Sequence, residues 1–209
     1  MSAGTRLNEL LVVAGLEPVN QAIAQRFEAY VSLILRWNAR INLTAVRDQE
    51  GILSRHILES IWVARNLPGG IETLLDLGSG AGLPGIPIAL CRPEIAVTLS
   101  ESQGKKAAFL EEAVRILEIG VKVHASRAER LTEKFDCVAM RAVDRMAEAV
   151  IVGASLVNPG GRLALMTTRS GWPQLQQAAG GGFTWDASMA LPGGKDRILA
   201  LGERPSDPA

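Results

Sequence analysis

The residues with the clearest chemical potential form a glycine-rich segment, "LLDLGSGAGLPGIPIAL", at positions 74–90. Four glycines fall within positions 78–85, directly behind an apolar run. Glycine is required where φ is positive or where a side chain would keep a ligand away from the backbone. At a turn from a strand into a helix, the free N–H groups favour electron-rich ligand atoms. The segment is therefore predicted to bind a ligand through its backbone.

The glycines of this segment match two cofactor-binding motifs. Gly80, Gly82 and Gly85 match G-x-G-x-x-G, the dinucleotide fingerprint, whereas Gly78, Gly80 and Gly82 behind Asp76 match D-x-G-x-G-x-G. If the dinucleotide motif applies, Gly78 lies within the strand, where glycine is unfavourable. If the D-x-G-x-G-x-G motif applies, the strand ends at Asp76 and the glycines form the loop. The D-x-G-x-G-x-G motif is therefore favoured. A tight turn that binds no ligand is the remaining interpretation.

An acidic residue, Glu101, closes the next apolar segment, 19 positions after Gly82. A carboxylate at the end of a second strand can accept hydrogen bonds from both ribose hydroxyls of an adenosine, in either cofactor class. Glu101 therefore predicts an adenosyl ligand without separating the two classes. An exposed strand-end carboxylate is the alternative interpretation.

These residues need a scaffold, and the hydrophobic pattern predicts one. Apolar runs suitable for strands alternate with helical patterns from residue 71 onward, which predicts an α/β sheet covered on both faces. The last two strands read as a terminal hairpin, and "NPGG" reads as a tight turn. The first third of the chain reads as three helices, which predicts an N-terminal helical lobe over 1–68 and a cofactor-binding core over 69–209. The predicted strands are 71–77, 95–101, 120–126, 135–143, 160–168, 183–191 and 196–203, and the predicted helices are 5–14, 18–37, 52–64, about 84 onward, 105–117 and 145–157.

Composition limits the choice of partner and compartment. Lysine plus arginine equals aspartate plus glutamate at 22 each, so a nucleic-acid partner would require a local basic face. The apolar run near the N-terminus is interrupted by Asn8 and Glu9, and it fits neither a signal peptide nor a membrane span. The two cysteines match no metal or redox spacing. We expect a cytoplasmic protein with no membrane association and no metal.

Five segments together resemble a known family. They are "RWNARINLTAVRD" (36–48), "RHILESI" (55–61), "DLGSGAGLPGIPIAL" (76–90), "ESQGKKAAFL" (101–110) and "SRAER" (126–130). In this order they resemble the bacterial glucose-inhibited division protein B family, class I S-adenosylmethionine-dependent methyltransferases that form 7-methylguanosine in small-subunit (16S) ribosomal RNA. The resemblance runs from about residue 5 to 200. It implies a Rossmann-like fold with a seven-stranded, mostly parallel sheet, helices on both faces and an N-terminal helical lobe.

The resemblance also implies a set of site residues. Ala128 and Glu129 should flank the adenine of S-adenosylmethionine, and Arg141 should face the cofactor or the incoming base. Arg141 and His56 are the positioning candidates, although a lone histidine on a helix is commonly a surface or capping residue. The implied cofactor-binding set is Asp76, Gly78, Gly80, Gly82, Leu83, Glu101, Ala128, Glu129 and Arg141.

The chain departs from the family pattern at three places. Glu101 and Glu59 stand where the family usually carries aspartate, so the ribose contact of Glu101 is predicted to be shifted. Many relatives follow the fifth strand with Lys-Gly, and here the corresponding pair is Thr167-Thr168. We hypothesise that Arg169, just beyond, supplies the missing phosphate contact.

RNA binding must come from basic residues placed around the helical lobe and along the carboxyl edge of the sheet. Each of these residues alone is expected to be a solvated surface group. Only their common location predicts that they bind RNA. The candidates are Arg36, Arg40, Arg55, Lys105, Lys106, Arg127, Arg145 and Arg169. We expect the partner to be 16S rRNA within an assembled small subunit, bound by a monomer.

The predicted chemistry is a direct displacement. Guanine N-7 offers a lone pair and carries no proton, so no general base is needed and catalysis rests on positioning, worth roughly 7–11 kcal/mol. Three alternatives remain: a class I methyltransferase acting on another RNA or a small molecule, a nucleotide-binding oxidoreductase, and a non-catalytic cofactor sensor.

Overall fold

A single eight-stranded sheet forms the centre of this computed structural model, which describes residues 1–206. Strands β1 to β5 pair in parallel, and β8 runs antiparallel to β5. The strands are β1 Thr73–Leu77, β2 Ala96–Ser100, β3 Lys122–His124, β4 Phe135–Arg141, β5 Val157–Thr168, β6 Thr184–Trp185, β7 Met189–Ala190 and β8 Arg197–Glu203.

The strand order is β3-β2-β1-β4-β5-β8-β6, and β7 also pairs with β8. Because both β6 and β7 pair antiparallel with β8, they share one edge position and the sheet has seven positions. The predicted mostly parallel, seven-position sheet and its terminal hairpin are confirmed. The order reverses direction beside β1, so the carboxyl ends of β1 and β4 open onto a crevice, where open α/β sheets bind ligands.

Helices cover both faces of this sheet. A π-helical segment, Ile52–Ile57, joins α3 to α4 without a break. Among residues 1–206, no helix is both long and apolar enough to cross a bilayer. The α-helices are α1 Ala3–Val13, α2 Gln21–Asn38, α3 Gln49–Gly51, α4 Leu58–Asn66, α5 Gly85–Cys91, α6 Gly104–Leu117, α7 Met146–Ser155 and α8 Trp172–Ala179.

Side-chain caps decide where three of the N-terminal helices begin. The side chains of Ser2, Asn20 and Asp48 accept the backbone N–H of the residue three positions on, at 3.2, 2.9 and 2.7 Å. Each cap satisfies one of the free N–H groups at a helix start. Helix α2 therefore begins at Gln21, three residues later than the predicted start at Pro18.

One local prediction was wrong, and one helix was not predicted. Residues 158–161 do not form a turn between elements, because β5 continues through them as a bulge between the pairs Phe135–Val157 and Cys137–Arg162. The N–H of Gly160 donates to Arg204 O at 2.8 Å, and this bond anchors the bulge to the neighbouring chain. Helix α8 was not predicted, because its apolar residues Trp172, Leu175 and Ala179 span only two turns between two glycines.

One hydrophobic core joins the N-terminal helices to the sheet. Leu7, Phe27 and Ile57 are fully buried in the same cluster as Leu74 of β1 and Ile86 of α5. A second cluster on the other face contains Leu75, Val138, Val150, Leu163 and Leu175. Adjacent residues of β1 thus serve opposite faces, as the two-residue period of a strand requires.

Candidate active site

A cleft of about 800 Å³ opens at the carboxyl ends of β1, β2 and β4. The loop after α2 and the π-helical segment form its opposite wall. Most of the predicted cofactor and positioning residues meet here. The predicted residues on its wall are His56, Gly78, Gly80, Leu83, Glu101, Ala128, Glu129 and Arg141.

The glycine loop turns sharply at the mouth of this cleft. Gly78, Gly80 and Gly82 have φ values of +75°, +55° and +81°, a region that L side chains rarely adopt. The N–H groups of Gly78 and Ser79 both donate to Ser100 O, at 2.9 and 3.1 Å, which fixes the loop against β2. A Cβ at Gly78 would lie 2.8 Å from Val143. The loop therefore brings bare backbone to the cleft wall. The N–H groups of Gly78, Gly80 and Leu83 donate within the protein, so the free N–H groups expected at these positions are not found.

Glu101 does two things at the end of β2. Its Oε2 accepts the N–H of Gly80 at 3.0 Å, and its Oε1 accepts the N–H of Gln103 at 2.8 Å. The longer glutamate side chain thus reaches back to the glycine loop. Each carboxylate oxygen can accept a second hydrogen bond, so the carboxylate that holds the loop also offers acceptors to a ligand in the cleft.

Asp76 and Gly82 lie beneath the loop and are not among the residues of the cleft wall. Asp76 is fully buried, and its Oδ2 accepts the N–H of Gly85 at 2.9 Å at the start of α5. At Gly82 the backbone lies against Ile86 and Tyr30, and the Tyr30 hydroxyl donates to Ala81 O. These residues shape the loop from behind.

Burial raises the pKa of Asp76 from 3.8 to about 7, because Oδ1 has no hydrogen-bond partner in residues 1–206 and the charged form is poorly solvated. A carboxyl whose pKa is raised by folding contributes stability that is present at acid pH and is lost as pH rises to the folded pKa. We therefore expect the wild type to lose free energy of unfolding relative to Asp76→Asn, by at most about 1.4 kcal/mol per pH unit, between pH 4 and 7.

Urea unfolding of both proteins across that pH range measures this difference. Asp144→Asn, at an exposed position, is the matched control and should leave the pH profile unchanged. Parallel profiles for wild type and Asp76→Asn would contradict the expectation.

Arg141 connects β4 to the π-helical segment across the base of the cleft. Its Nη2 donates to Arg55 O at 3.0 Å and to His56 Nδ1 at 2.5 Å. The same Nη2 lies 3.2 Å from Glu59 Oε2. On the far side of this carboxylate, Arg197 of β8 donates from Nε and Nη2 to Oε1 at 2.6 and 2.5 Å. One buried carboxylate, with a side chain 1% exposed, therefore holds two guanidinium groups.

His56 is part of this network, which removes the interpretation of a simple surface residue. Its Nε2 lies 2.7 Å from Thr44 Oγ1, and burial together with the charges of Arg141 and Arg55 lowers its pKa to about 3. The imidazole is therefore neutral at physiological pH. A base this weak suits positioning rather than proton transfer.

The loop that carries Thr44 is held by Asn38 at the end of α2. Asn38 Nδ2 donates to Thr44 O and Val46 O at 3.0 and 2.9 Å, and its Oδ1 accepts the N–H groups of Leu43 and Thr44 at 3.0 and 3.1 Å. Asn38 therefore ties the end of α2 to the following loop.

The predicted RNA-binding residues fall into three places. Arg55, Lys106, Arg127 and Arg145 line the cleft. Arg36, Arg40 and Lys105 border a second, smaller cleft beside Trp37 and Glu112. Arg169 is exposed at the carboxyl end of β5, and its N–H donates to Asp196 O at 2.9 Å.

Three residues of the site carry no signal in the sequence: Arg197, Thr44 and Tyr30. Thr44 contacts His56, Tyr30 lies against Gly82, and Arg197 shares the Glu59 carboxylate with Arg141. Arg197 follows "GGKD" and shows no pattern of its own, and it meets Glu59 from 138 positions away. Thr44 lies within the segment 36–48, but the sequence does not show that its hydroxyl meets His56. No group of histidine, cysteine and acidic residues within 1–206 is arranged to hold a metal ion.

A family model and curated relatives match most of this sequence. The GidB family model, described as rRNA small subunit methyltransferase G, matches residues 23–179. The chain is 46% identical over 153 residues to "Ribosomal RNA small subunit methyltransferase G" of Xanthomonas euvesicatoria, covering 72% of this chain and 71% of that protein. It is 44% identical over 168 residues to the protein of the same name from Stenotrophomonas maltophilia, covering 79% and 77%.

Solved structures support the fold. TrmN from Thermus thermophilus superposes with a TM-score of 0.55 at 20% identity, covering 73% of this chain and 53% of that one. A T. thermophilus 16S rRNA N2 methyltransferase in complex with AdoMet and guanosine gives 0.56 at 18% identity, covering 74% and 41%. The predicted class I methyltransferase fold is confirmed.

Proposed function

This chain belongs to the rRNA small subunit methyltransferase G family, and on that premise we propose that it transfers a methyl group from S-adenosylmethionine to N-7 of a guanosine in 16S ribosomal RNA. The observation that carries the proposal is the cleft where the positive-φ glycine loop, Glu101 and the Arg141–His56 pair face one another.

The residues of the cleft fit an adenosyl cofactor. Gly78 and Gly80 line the cleft with backbone that carries no side chain, and Leu83 lies on the same wall. Glu101 retains acceptors for ribose hydroxyls. Ala128 and Glu129 would flank the adenine. S-adenosylmethionine supplies, when bound, a methyl group already activated by its sulfonium.

We propose a less direct role for Asp76 and Gly82. Both shape the loop from beneath, so their substitution should act on cofactor affinity through loop geometry. Arg141 would face the cofactor or the base from the floor of the cleft, fixed there by Glu59 and His56.

The chain needs to supply no general base, because guanine N-7 carries a lone pair and no proton. His56 and Arg141 instead hold the cleft wall in one arrangement. Juxtaposition of this kind is worth roughly 7–11 kcal/mol of the barrier, so positioning is the main catalytic contribution.

RNA would approach over the basic residues at the cleft rim and the neighbouring face. Arg55, Lys106, Arg127 and Arg145 surround the cleft, and Arg36, Arg40 and Lys105 extend the basic surface along α2 and α6. Because the chain carries no net charge, a folded substrate must contribute shape as well. We propose that a cytoplasmic monomer acts on the assembled small subunit.

Arg169→Ala should lower RNA affinity and reduce the slope of log K against log salt by about 1, as the loss of one phosphate contact does. The residue lies beside the carboxyl end of β4, since Arg141 pairs with Met166 in the adjacent strand. Filter binding at several salt concentrations measures the slope. Arg26→Ala, an exposed arginine of α2 that borders neither cleft, is the control. An unchanged slope for Arg169→Ala removes this residue from the RNA-binding surface.

The decisive experiment supplies labelled S-adenosylmethionine to small subunits that lack 7-methylguanosine and maps the modified base. Label on N-7 of one guanosine supports the proposal, and label on another atom, or none, refutes it. A parallel reaction with protein-free 16S RNA tests the assembly requirement, and equal turnover there would count against it.

A thermal-shift comparison separates the cofactor classes. S-adenosylhomocysteine at 100 times its dissociation constant should stabilise the fold by about 2.7 kcal/mol, and NAD should not. Stabilisation by NAD alone would favour the oxidoreductase alternative.

A further inference from the structure

The hydroxyl of Thr44 lies on the cleft wall, next to His56 and opposite the glycine loop. Asn38 fixes the backbone of residues 43–46 through the four hydrogen bonds described above, two of which involve Thr44 itself. The side chain therefore points from a rigid loop, and its hydrogen-bonding capacity can be counted.

The guanidinium of Arg141 determines the direction of the hydrogen bonds around His56, because a guanidinium can only donate. Arg141 Nη2 lies 2.5 Å from His56 Nδ1, so Nδ1 must accept. The low pKa of His56 leaves the ring a single proton, which must then reside on Nε2. The tautomer is thus fixed by its neighbour.

The orientation of the Thr44 hydroxyl follows. His56 Nε2–H donates to Thr44 Oγ1 at 2.7 Å, and the N–H of Val46 donates to the same oxygen at 3.2 Å. A hydroxyl oxygen has two lone pairs, and both are now occupied. The Thr44 O–H can therefore only donate, and residues 1–206 provide no acceptor for it.

We propose that the Thr44 hydroxyl donates to O6 of the target guanine and thereby selects guanine over adenine. This inference rests on the proposed function. Guanine presents two acceptors on this edge, N7 and O6, whereas adenine presents N7 beside a donating N6 amino group. A hydroxyl that cannot accept would meet the adenine amino group donor to donor. The pairing would leave both hydrogens unsatisfied in the cleft.

The cofactor is a poorer match for this hydroxyl. Its ammonium group can only donate, so it cannot accept this hydrogen, and the carboxylate of Glu101 already offers acceptors for its ribose hydroxyls across the cleft. Its carboxylate could take the hydrogen, and the experiment separates this case.

The test uses small subunits that carry guanosine, inosine or 2-aminopurine at the mapped position. Inosine keeps O6, and 2-aminopurine lacks it, while all three keep N7. Under single-turnover conditions the wild type should methylate guanosine and inosine at similar rates and 2-aminopurine on the order of 10- to 100-fold more slowly. Thr44→Val, which keeps the shape and removes the hydroxyl, should methylate all three at the slow rate. Thr44→Ser is the matched control and should restore the preference.

The ratio of rates reports the O6 contact separately from general damage to the site. If Thr44→Val retains the wild-type preference for inosine over 2-aminopurine, the assignment is wrong. It is equally wrong if Thr44→Val weakens binding of S-adenosylhomocysteine while the base preference stays, because the hydroxyl then serves the cofactor.

The wild type alone is informative even if Thr44→Val does not fold. Equal wild-type rates on inosine and 2-aminopurine would overturn the inference. If the wild type methylates N-7 of no guanosine, the proposed function itself fails, which is a different result from a methylated guanosine whose O6 is not sensed.

Discussion

Glu59→Gln is expected to lower the free energy of unfolding by about 3–5 kcal/mol and to abolish most of the methylation activity. The Glu59 carboxylate is buried between Arg141 and Arg197, at 3.2 and 2.5 Å. Removing its charge leaves two guanidinium groups facing a neutral amide in a poorly solvated site. The activity follows because Arg141 also positions His56.

Urea unfolding of the purified variant measures the loss. Glu148→Gln breaks an ion pair with Arg145 whose side chains are 66% and 72% exposed, and it should leave stability almost unchanged. Glu59→Gln combined with Arg197→Gln should be less destabilised than the sum of the single variants, since the excess positive charge is removed. Equal losses for Glu59→Gln and Glu148→Gln would contradict the buried network.

Gly82→Ala is expected to cost about 2–4 kcal/mol in stability and to weaken S-adenosylhomocysteine binding. At φ +81° an alanine is strained, and its Cβ would lie 2.5 Å from Ile86 Cδ1 and 3.0 Å from Tyr30 Oη, both fully buried. Because Ile86 and Tyr30 are packed in the core, the overlap pushes the loop toward the cleft. Chemical unfolding and calorimetric titration measure the two effects.

Gly80→Ala is the matched control in the same loop. It carries a similar backbone strain at φ +55°, but the nearest atom to its added Cβ is 3.8 Å away. The two variants therefore differ mainly in steric overlap. Ile86→Val removes the offending Cδ1, so Ile86→Val with Gly82→Ala should recover part of the lost stability. Identical losses at Gly80 and Gly82, without rescue, would show that backbone strain alone is responsible.

The sequence predicted the parts of the fold that depend on periodicity. Strands and helices alternate clearly from Thr73 onward, and the buried runs of β1, β4 and β5 admit only a parallel sheet covered on both faces. The glycine loop and Glu101 were predicted because their residue types express backbone conformation and hydrogen bonding locally.

The remaining features depend on contacts between distant positions. Nothing near Arg197 indicates that it shares Glu59 with Arg141, and the direction of the hydrogen bonds through His56 depends on which atom each nitrogen faces. Asp76 and Gly82 matched the motif, but a sequence motif does not indicate whether a residue faces the cleft or the core. The structure places both behind it.

The π-helical segment Ile52–Ile57 has a consequence for how this chain can change over evolutionary time. A π segment corresponds to one extra residue accommodated within an ordinary helix. Deleting a single residue there would restore the regular spacing and rotate the preceding residues by about 100° relative to those that follow. The carbonyls of Arg55 and His56 could then no longer meet Arg141 while Glu59 keeps its place. We expect homologous chains to differ in residue type along this segment but to keep its length. An alignment should therefore show no insertions or deletions there.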